Sequence, residues 1–302
     1  MIIIGGGPAG YTAALYAARA GIESLLIEKL YAGGQMATTP EVDNYPGFDE
    51  GIDGFTLGMK MQQGAERFGA QTIYGDVQSV ELEGNIKKLH TENETLLGRT
   101  VIVATGANPR KLGLPMEWEL TGKGVHYCAS CDGMFYRGKT VVLVGGGNSA
   151  VADALTLSRV AQKVILVHRR DTLRASKIYH EPLQKAENIE FRWNSQVAAL
   201  QHNDRVNGVL LRNTLTGEEE IVSCDGVFVS IGREPATELF KEQLELDEQG
   251  YIVAGESTAT NLPGVYAVGD VRTKAVRQIV TATADGAVAA HQIEEYLSVA
   301  VA

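Results

Sequence analysis

The chain has 302 residues, 44% of them hydrophobic and 21% charged, so it is long enough for two domains that each bury a core. Its net charge of -10 argues against nucleic-acid binding as a main activity, because that binding relies on Lys and Arg neutralising phosphates. We see no export signal and no uncharged apolar run of about 18 residues. With only three cysteines, the sequence predicts a cytoplasmic protein without a membrane or nucleic-acid partner.

Two segments 140 positions apart repeat one pattern of apolar strand, glycine turn and small-residue helix: "IIIGGGPAG" at 2–10 and "VVLVGGGNSA" at 141–150. Both strands are entirely apolar, which is typical of a parallel sheet covered on both faces. Predicted helices follow at 11–20 and 151–159, and predicted second strands at 24–27 and 164–167. The chain therefore contains two βαβ units.

Further elements are predicted outside the two repeats. Apolar strands are expected at 100–104 and 227–231, a short strand within "GVYAVGD" at 264–270, and a helix over roughly 278–297. Because a late strand and helix complete the first unit, the second unit is predicted to be inserted into a discontinuous first domain.

The glycine loops have the spacing of dinucleotide-binding turns. In that pattern the first glycine makes a tight turn, the second allows close approach of a pyrophosphate, and the third small residue permits close helix packing. These positions are Gly5, Gly7 and Gly10 in the first loop, and Gly145, Gly147 and Ala150 in the second. Phosphates would bind to the free N–H groups at the start of each helix.

The residue 23 positions after each loop's first glycine distinguishes the two sites. Glu28 follows the first loop and can accept hydrogen bonds from a ribose 2'-hydroxyl. His168 follows the second loop, together with Arg169, Arg170 and Arg174, and guanidinium groups bind a phosphate through two hydrogen bonds. The second loop is therefore predicted to prefer NADP(H).

Two of the three cysteines lie in "YCASCDG" at 127–133. Cys128 and Cys131 fit a metal site, a structural disulfide or a reversible redox pair. Only His126 and the distant Cys224 are available to complete a four-ligand zinc site, and so short a disulfide loop constrains little of the unfolded chain. The motif taken alone leaves all three possibilities open.

Along nearly its whole length the chain resembles the low-molecular-weight thioredoxin reductases of the two-dinucleotide-fold flavoprotein family. Eight segments in the family's order carry the resemblance: "GGGPAG" at 5–10, "GGQM" at 33–36, "NYPG" at 44–47, "ATGA" at 104–107, "CASCDG" at 128–133, "GGGNSA" at 145–150, "HRRDTLRA" at 168–175, and "YAVGD" at 266–270 with "RQ" at 277–278. It implies an α/β fold with two Rossmann-like domains of three-layer ββα type. The expected FAD-binding domain comprises 1–111 and 238–302, and the inserted NADPH-binding domain, which carries the CxxC motif, comprises 112–237.

The resemblance also assigns the residues of the cofactor sites. The implied FAD site comprises Gly5, Gly7, Pro8, Ala9, Gly10, Glu28, Gly34, Gln35, Asn44, Ala104, Thr105, Gly106, Gly269, Asp270, Arg277 and Gln278. The implied NADPH site comprises Gly145, Gly147, Asn148, Ser149, Ala150, His168, Arg169, Arg170 and Arg174. No metal site is expected.

By the same resemblance the enzyme is an NADPH-dependent thioredoxin-disulfide reductase. Electrons would pass from NADPH through FAD to a Cys128–Cys131 disulfide and then to thioredoxin. Cys131 would face the flavin, Cys128 would attack the partner, and Asp132 would act as acid and base. His126 is expected to be structural and Cys224 a buried free thiol.

The family resemblance further implies a homodimer whose two domains rotate against each other about hinges near 108–115 and 232–237. Two departures from the family pattern concern the short start before the first strand and the Ala152-Asp153 pair, where many relatives carry a glutamate. Three alternative functions are an FAD-dependent dithiol oxidase, a ferredoxin-fed or NADH-preferring reductase, and a flavin-bearing sensor.

Overall fold

The computed structural model describes residues 1–39, 41–176 and 180–299. The chain divides into two compact units, which we call unit 1 (1–108 with 234–302) and unit 2 (109–233). The sequence places the same division at 111/112 and 237/238. None of the helices in the described ranges has the length and apolar character needed to cross a membrane.

Unit 1 begins with two βαβ crossovers and a small antiparallel sheet. Its elements before the insertion are β1 (Ile2–Ile4), α1 (Pro8–Arg19), β2 (Leu25–Glu28), α2 (Gly54–Glu66), β3 (Gln71–Tyr74), β4 (Val77–Glu81), β5 (Lys87–Thr91), β6 (Thr95–Gly98), β7 (Val101–Val103) and β8 (Ala107–Pro109). Strands β4, β5 and β6 form the antiparallel sheet in that order.

Unit 2 repeats this plan with a second glycine loop. Its elements are β9 (Val125–His126), α3 (Ala129–Asp132), β10 (Thr140–Gly145), α4 (Asn148–Ser158), β11 (Lys163–Val167), α5 (His180–Lys185), β12 (Ile189–Arg192), β13 (Ser195–His202), β14 (Val206–Asn213), β15 (Glu219–Ser223) and β16 (Gly226–Ser230). The parallel strands run in the order β12-β11-β10-β16-β9, and β13, β14 and β15 form a separate antiparallel sheet.

The chain returns to unit 1 through β17 (Arg233–Pro235), and β18 (Val265–Ala267) and α6 (Ile279–Val299) complete that unit. Strand β18 joins the parallel sheet beside β7, which gives the order β18-β7-β1-β2-β3. The two connecting strands, β8 and β17, pair with each other.

The side chains of β1 point alternately to the two faces of the parallel sheet, and the core of unit 1 is accordingly divided into two layers. Ile2 and Ile4 pack toward the antiparallel sheet with Val80 and Leu89. Ile3 points to the opposite face and packs with α1 and α6. A strand buried on both faces must be apolar at every position, which explains why β1 reads Ile-Ile-Ile.

The same division occurs in unit 2. Val142 and Val144 pack with the antiparallel sheet, whereas Val141 and Leu143 pack against α4. Each unit therefore has a helical layer, a parallel sheet and an antiparallel layer, and the predicted α/β fold with two Rossmann-like domains is confirmed.

Several predicted boundaries were wrong by a few residues. Helices α1 and α4 begin at Pro8 and Asn148, three positions earlier than predicted, because the glycine loops lead directly into the first helical turn. Proline suits that turn, because a backbone N–H at the first helical position has no acceptor inside the helix and proline, which lacks one, loses no hydrogen bond. Strand β2 ends one residue later than predicted and includes Glu28, while α6 spans Ile279–Val299 instead of 278–297.

Candidate active site

The first glycine loop connects β1 to α1 and leaves open space at the start of the helix. Gly5 has φ of 104°, and a Cβ there would lie 2.5 Å from the carbonyl oxygen of Ala104, so a larger residue is excluded. A Cβ at Gly7 would meet no atom within 4 Å. The free N–H groups of the first turn of α1 therefore face a space that can hold a phosphate.

Glu28, at the end of β2, is buried beside this loop. Its Oε2 accepts a hydrogen bond from the Gly6 amide at 2.6 Å, and its Oε1 accepts one from the Leu30 amide at 3.0 Å. These two amides fix the carboxylate at the edge of the open space. An ionised carboxylate can accept further hydrogen bonds, so Glu28 can also bind ribose hydroxyls.

Three amide side chains that the resemblance assigns to the FAD site are held within unit 1. Gln35 donates a hydrogen bond to the carbonyl oxygen of Ala107, and Asn44 Nδ2 donates one to Gln278 Oε1 at 3.2 Å. The contact between Asn44 and Gln278 joins positions 234 residues apart. The structure thus brings together two residues that the sequence had assigned to the same cofactor.

The other residues assigned to the FAD site lie around the first glycine loop or near the start of α6. A Cβ at Gly269 would lie 3.1 Å from Ala9 Cβ, which places the Gly269-Asp270 turn beside α1. The Arg277 guanidinium lies 3.9 Å from the centroid of the Tyr251 ring, and its Nε is buried without a hydrogen-bond partner among the described residues. The remaining assigned residues are Pro8 and Gly10 in α1, Gly34 facing Gly7, and Ala104, Thr105 and Gly106 after β7.

The second glycine loop has the same open space. A Cβ at Gly147 would meet nothing within 4 Å. Asn148 and Ser149 begin α4 and are exposed, whereas Ala150 is buried. Asn148 Oδ1 accepts a hydrogen bond from the Ser176 amide at 2.8 Å and so ties the loop to the segment that follows the arginines.

His168 and the arginines stand beside this second loop. The His168 ring is buried against Gly146, and its Nε2 has no hydrogen-bond partner among the described residues. Arg169, Arg170 and Arg174 are exposed, and the Arg174 amide donates to the Gly146 carbonyl oxygen at 2.8 Å. Burial lowers the pKa of His168; a backbone hydrogen bond with Thr172 partly opposes this, and the three guanidinium groups lower the pKa further. The ring is therefore neutral at physiological pH.

The cysteines of the CxxC motif form a disulfide in unit 2. Cys128 and Cys131 are bonded, with their Cα atoms 5.3 Å apart, and both residues are half-buried. The short helix α3 starts directly after Cys128, and the Asp132 amide donates to the Cys128 carbonyl oxygen at 3.1 Å. This turn brings Asp132 back toward Cys128.

Asp132 is buried and lies in contact with a histidine that the sequence assigned only a structural role. His126 Nδ1 lies 3.0 Å from Asp132 Oδ2, and His126 Nε2 lies 2.7 Å from the Tyr136 hydroxyl. Burial raises the pKa of Tyr136 to about 12. The pairing of β9 with β16 fixes the position of His126, and no signal within the CxxC motif reveals this contact.

Sequence reasoning also missed Glu117. This buried carboxylate accepts hydrogen bonds from the amides of Leu112, Gly113 and Leu114 and from the Tyr127 hydroxyl at 2.8 Å. It therefore ties the start of unit 2 to the residue immediately before Cys128. An acidic residue that follows a Gly-Leu-Pro turn was the only sequence signal for this role.

Cys224 is a buried free thiol, as predicted, and burial raises its pKa to about 12. His126 is already hydrogen-bonded to Asp132 and Tyr136. Among the described residues, no group of three or more His, Cys, Asp or Glu side chains is arranged to hold a metal ion.

Comparison with known proteins identifies the family. Residues 1–286 match the pyridine nucleotide-disulphide oxidoreductase family. The chain is 48% identical over 301 residues to a thioredoxin reductase of Streptomyces clavuligerus, covering 99% of this chain and 94% of that protein. It is 47% identical over 298 residues to a thioredoxin reductase of Listeria monocytogenes, covering 98% of this chain and 93% of that protein.

A solved structure agrees with these relatives. The crystal structure of thioredoxin reductase from Streptococcus pyogenes MGAS5005 superposes with a TM-score of 0.93 at 44% identity, covering 99% of this chain and 97% of that one. Both glycine loops and the Cys128–Cys131 disulfide lie within the region that matches the family. The chain is therefore an oxidoreductase that belongs to the pyridine nucleotide-disulphide oxidoreductase family, in its branch of bacterial-type thioredoxin reductases.

Proposed function

We propose that this enzyme uses NADPH and FAD to reduce the disulfide of thioredoxin. The observation that carries the proposal is the Cys128–Cys131 disulfide, which shares unit 2 with a glycine loop flanked by three arginines. The relatives in the comparison are named thioredoxin reductases, which supports thioredoxin as the substrate of this chain.

The residues of unit 1 fit FAD. The open space over Gly7 suits a pyrophosphate, and the carboxylates of Glu28 and Asp270 suit hydroxyl groups. Gln35 and the Asn44–Gln278 pair would bind along the ring system. When bound, FAD would supply the chemistry that passes electrons from a nicotinamide to a disulfide.

The residues of unit 2 fit NADPH better than NADH. Arg169, Arg170 and Arg174 are exposed beside the loop, where the end of the second strand would meet the adenosine ribose. A 2'-phosphate carries negative charge, and guanidinium groups bind it through charge-assisted hydrogen bonds. The neutral His168 ring packs on Gly146 and would line the same pocket.

The cysteines and Asp132 would perform thiol–disulfide exchange with thioredoxin. In the dithiol form, Cys128 loses its proton to Asp132 and attacks one sulfur of the partner disulfide, which forms a mixed disulfide. The partner's other sulfur leaves with the electron pair and takes a proton. Cys131 then attacks Cys128, so the enzyme disulfide forms again and the partner leaves as a dithiol.

Anaerobic titration tests this proposal. The flavin absorbance of the purified protein is expected to fall on addition of NADPH and to recover on addition of oxidised thioredoxin. Replacing Cys131 by Ser should abolish steady-state turnover, because the mixed disulfide can no longer be resolved. Flavin reduction by NADH or ferredoxin alone, or recovery of the flavin only with oxygen, would instead support one of the alternative functions.

The oligomeric state and location remain predictions. A homodimer is expected from the family, and light scattering of the purified protein tests it. Fractionation of cells that produce the protein tests the predicted cytoplasmic location.

A further inference from the structure

His126 connects Asp132 to Tyr136 inside unit 2. The His126 side chain is 6% exposed, and its two ring nitrogens contact different partners. Nδ1 lies 3.0 Å from Asp132 Oδ2, and Nε2 lies 2.7 Å from the Tyr136 hydroxyl. A buried histidine with both nitrogens engaged has a fixed orientation, so its protonation pattern is decided by its partners.

The partners of the His126 ring decide the direction of these hydrogen bonds. An ionised carboxylate can only accept, so the nitrogen that faces Asp132, Nδ1, carries the ring proton and donates it. In a neutral ring Nε2 is then the acceptor, and the Tyr136 hydroxyl donates to it.

Aromatic packing holds the His126 ring in place. The ring stacks on Phe228 with the centroids 5.1 Å apart and meets the edge of Tyr136 at 5.2 Å. A Cβ at Gly226 would lie 2.6 Å from Tyr136 Cζ, so only glycine allows Tyr136 to lie there. Three separate segments of unit 2 thus fix one imidazole.

Charged groups from the neighbouring elements face this cluster. Arg205 and Asp225 act on the Tyr136 hydroxyl, and Lys139 Nζ lies 5.5 Å from the centroid of the Tyr136 ring. Helix α4 packs against α3, and its only titratable side chain, Asp153, interacts with Ser230 and Arg233. The group in direct contact with the Asp132 carboxylate is His126.

We propose that His126 is a positioning residue that holds the Asp132 carboxylate through an Nδ1–H hydrogen bond and keeps it ready to accept the proton of Cys128. This inference rests on the proposed thiol–disulfide exchange. The Cys128 S–H bond breaks as its proton moves to Asp132, and the Cys128 sulfur bonds to a sulfur of the attacked disulfide. The expelled sulfur leaves with the electron pair and receives the proton from Asp132.

Two substitutions separate this role from simple packing. The amide nitrogen of asparagine is two bonds from Cβ, like His126 Nδ1, so His126→Asn can still donate a hydrogen bond to Asp132. The amide nitrogen of glutamine is three bonds from Cβ, like His126 Nε2. His126→Gln can therefore contact Tyr136 but cannot replace the Nδ1 donor. A purely structural role would make both variants equally defective.

The test measures Cys128 reactivity in proteins that also carry Cys131→Ser, where the other cysteine, Cys224, is buried. The flavin-loaded protein is reduced with dithiothreitol, desalted and mixed with 5,5'-dithiobis(2-nitrobenzoic acid), a small aromatic disulfide, across a range of pH. We expect His126→Gln to react about tenfold more slowly at neutral pH, with the acidic limb of its profile moved up by roughly one pH unit. His126→Asn should keep the wild-type profile.

Equal profiles for the two variants, whether both unchanged or both shifted, would overturn the proposal. If His126→Gln does not fold, Tyr136→Phe gives a second test. Without the hydroxyl, the His126 proton can lie on either ring nitrogen, so the Nδ1 donor is present only part of the time. We expect the acidic limb of the pH profile to move in the same direction by a smaller amount, and an unchanged profile would contradict the proposal. Melting temperature and the flavin spectrum report folding, and His291→Gln, at an exposed position on α6, serves as the control.

A separate measurement distinguishes failure of this inference from failure of the proposed function. NADPH-driven reduction of thioredoxin by the wild-type protein tests the proposed function. The reaction with the aromatic disulfide needs neither NADPH nor thioredoxin. If the wild-type protein failed to reduce thioredoxin, the asparagine and glutamine variants would still show whether His126 acts on Cys128 through Asp132.

Discussion

The Gly6 amide donates a hydrogen bond to the Glu28 carboxylate at 2.6 Å, and both groups are buried. His168 takes the corresponding place in unit 2, where its ring packs against Gly146. The same position at the end of the second strand thus carries a buried carboxylate in one unit and the start of a basic segment in the other. This difference leads to the first two predictions.

Replacing Glu28 should weaken FAD binding. Glu28→Gln keeps an oxygen for the Gly6 amide but loses the charge, so we expect FAD affinity to fall about tenfold because hydrogen bonds to charged groups are the stronger ones. Glu28→Ala also leaves the buried amide without its partner, which should cost about 1–3 kcal/mol of unfolding free energy. Flavin content and thermal unfolding measure the two effects. Glu50→Gln, at an exposed position of unit 1, is the control, and normal flavin content in Glu28→Ala would contradict the assignment.

Replacing Arg169 and Arg170 together by alanine should reduce the preference of the enzyme for NADPH over NADH. We expect the KM for NADPH to rise at least about tenfold, because two charge-assisted hydrogen bonds to the 2'-phosphate are lost. The KM for NADH should change little, since NADH has no phosphate there. Steady-state kinetics with both nucleotides check this, with Arg159→Ala as an exposed control in unit 2. An equal loss for both nucleotides would show that the arginines act on folding or turnover instead.

The buried carboxylate of Asp285 should make stability depend on pH. Burial opposes its ionisation, but hydrogen bonds from Arg272 at 2.7 Å and Lys274 at 2.8 Å outweigh this effect and lower its pKa. A carboxyl group with a lowered pKa in the folded state contributes stability above its unfolded pKa, and this contribution is lost as pH falls through the folded pKa. We expect the unfolding free energy to decrease below about pH 4 for this reason.

Asp285→Asn tests the same network at neutral pH. The substitution leaves two buried cations without their counter-ion, so we expect a loss of about 3–5 kcal/mol in the unfolding free energy. Thermal unfolding followed at pH 7 and at pH 4 should show a smaller difference between the two conditions for the variant than for the wild type. A variant with the full wild-type dependence on pH would rule Asp285 out as its source.

Cys224 should stay unreactive in the folded protein. Cys224 is buried, and burial raises its pKa to about 12, so almost no thiolate is present at pH 8. Mass spectrometry after iodoacetamide treatment should find no label in the oxidised protein and two labels, on Cys128 and Cys131, after mild reduction. A third label before unfolding would contradict this burial.

The local features of the fold and of the glycine loops could be predicted from the chain. Apolar triplets such as Ile2-Ile3-Ile4 permit only a strand buried on both faces, and glycine at position 5 follows from its positive φ. These requirements act over a few neighbouring residues, so they are visible in the sequence. Their spacing to Glu28 and His168 is likewise local, because one βαβ crossover has a nearly fixed length.

The contacts of His126 could not be predicted, because they depend on strands that are distant in the chain. His126 pairs with Phe228 across β9 and β16, and Tyr136 reaches it only because residue 226 is glycine. The same reason applies to the hydrogen bond between Asn44 and Gln278. Nothing in the sequence near either partner specifies the other.

By itself, the sequence predicted the two glycine loops and the different residue types that follow them, since both depend on residue type at short, fixed spacing. The CxxC motif alone left a metal site, a structural disulfide and a redox pair open, and in the structure Cys128 and Cys131 form a disulfide. The tertiary structure decided which groups surround Asp132. The surroundings of a buried carboxylate depend on whatever packs against it in three dimensions, and for Asp132 that neighbour is His126.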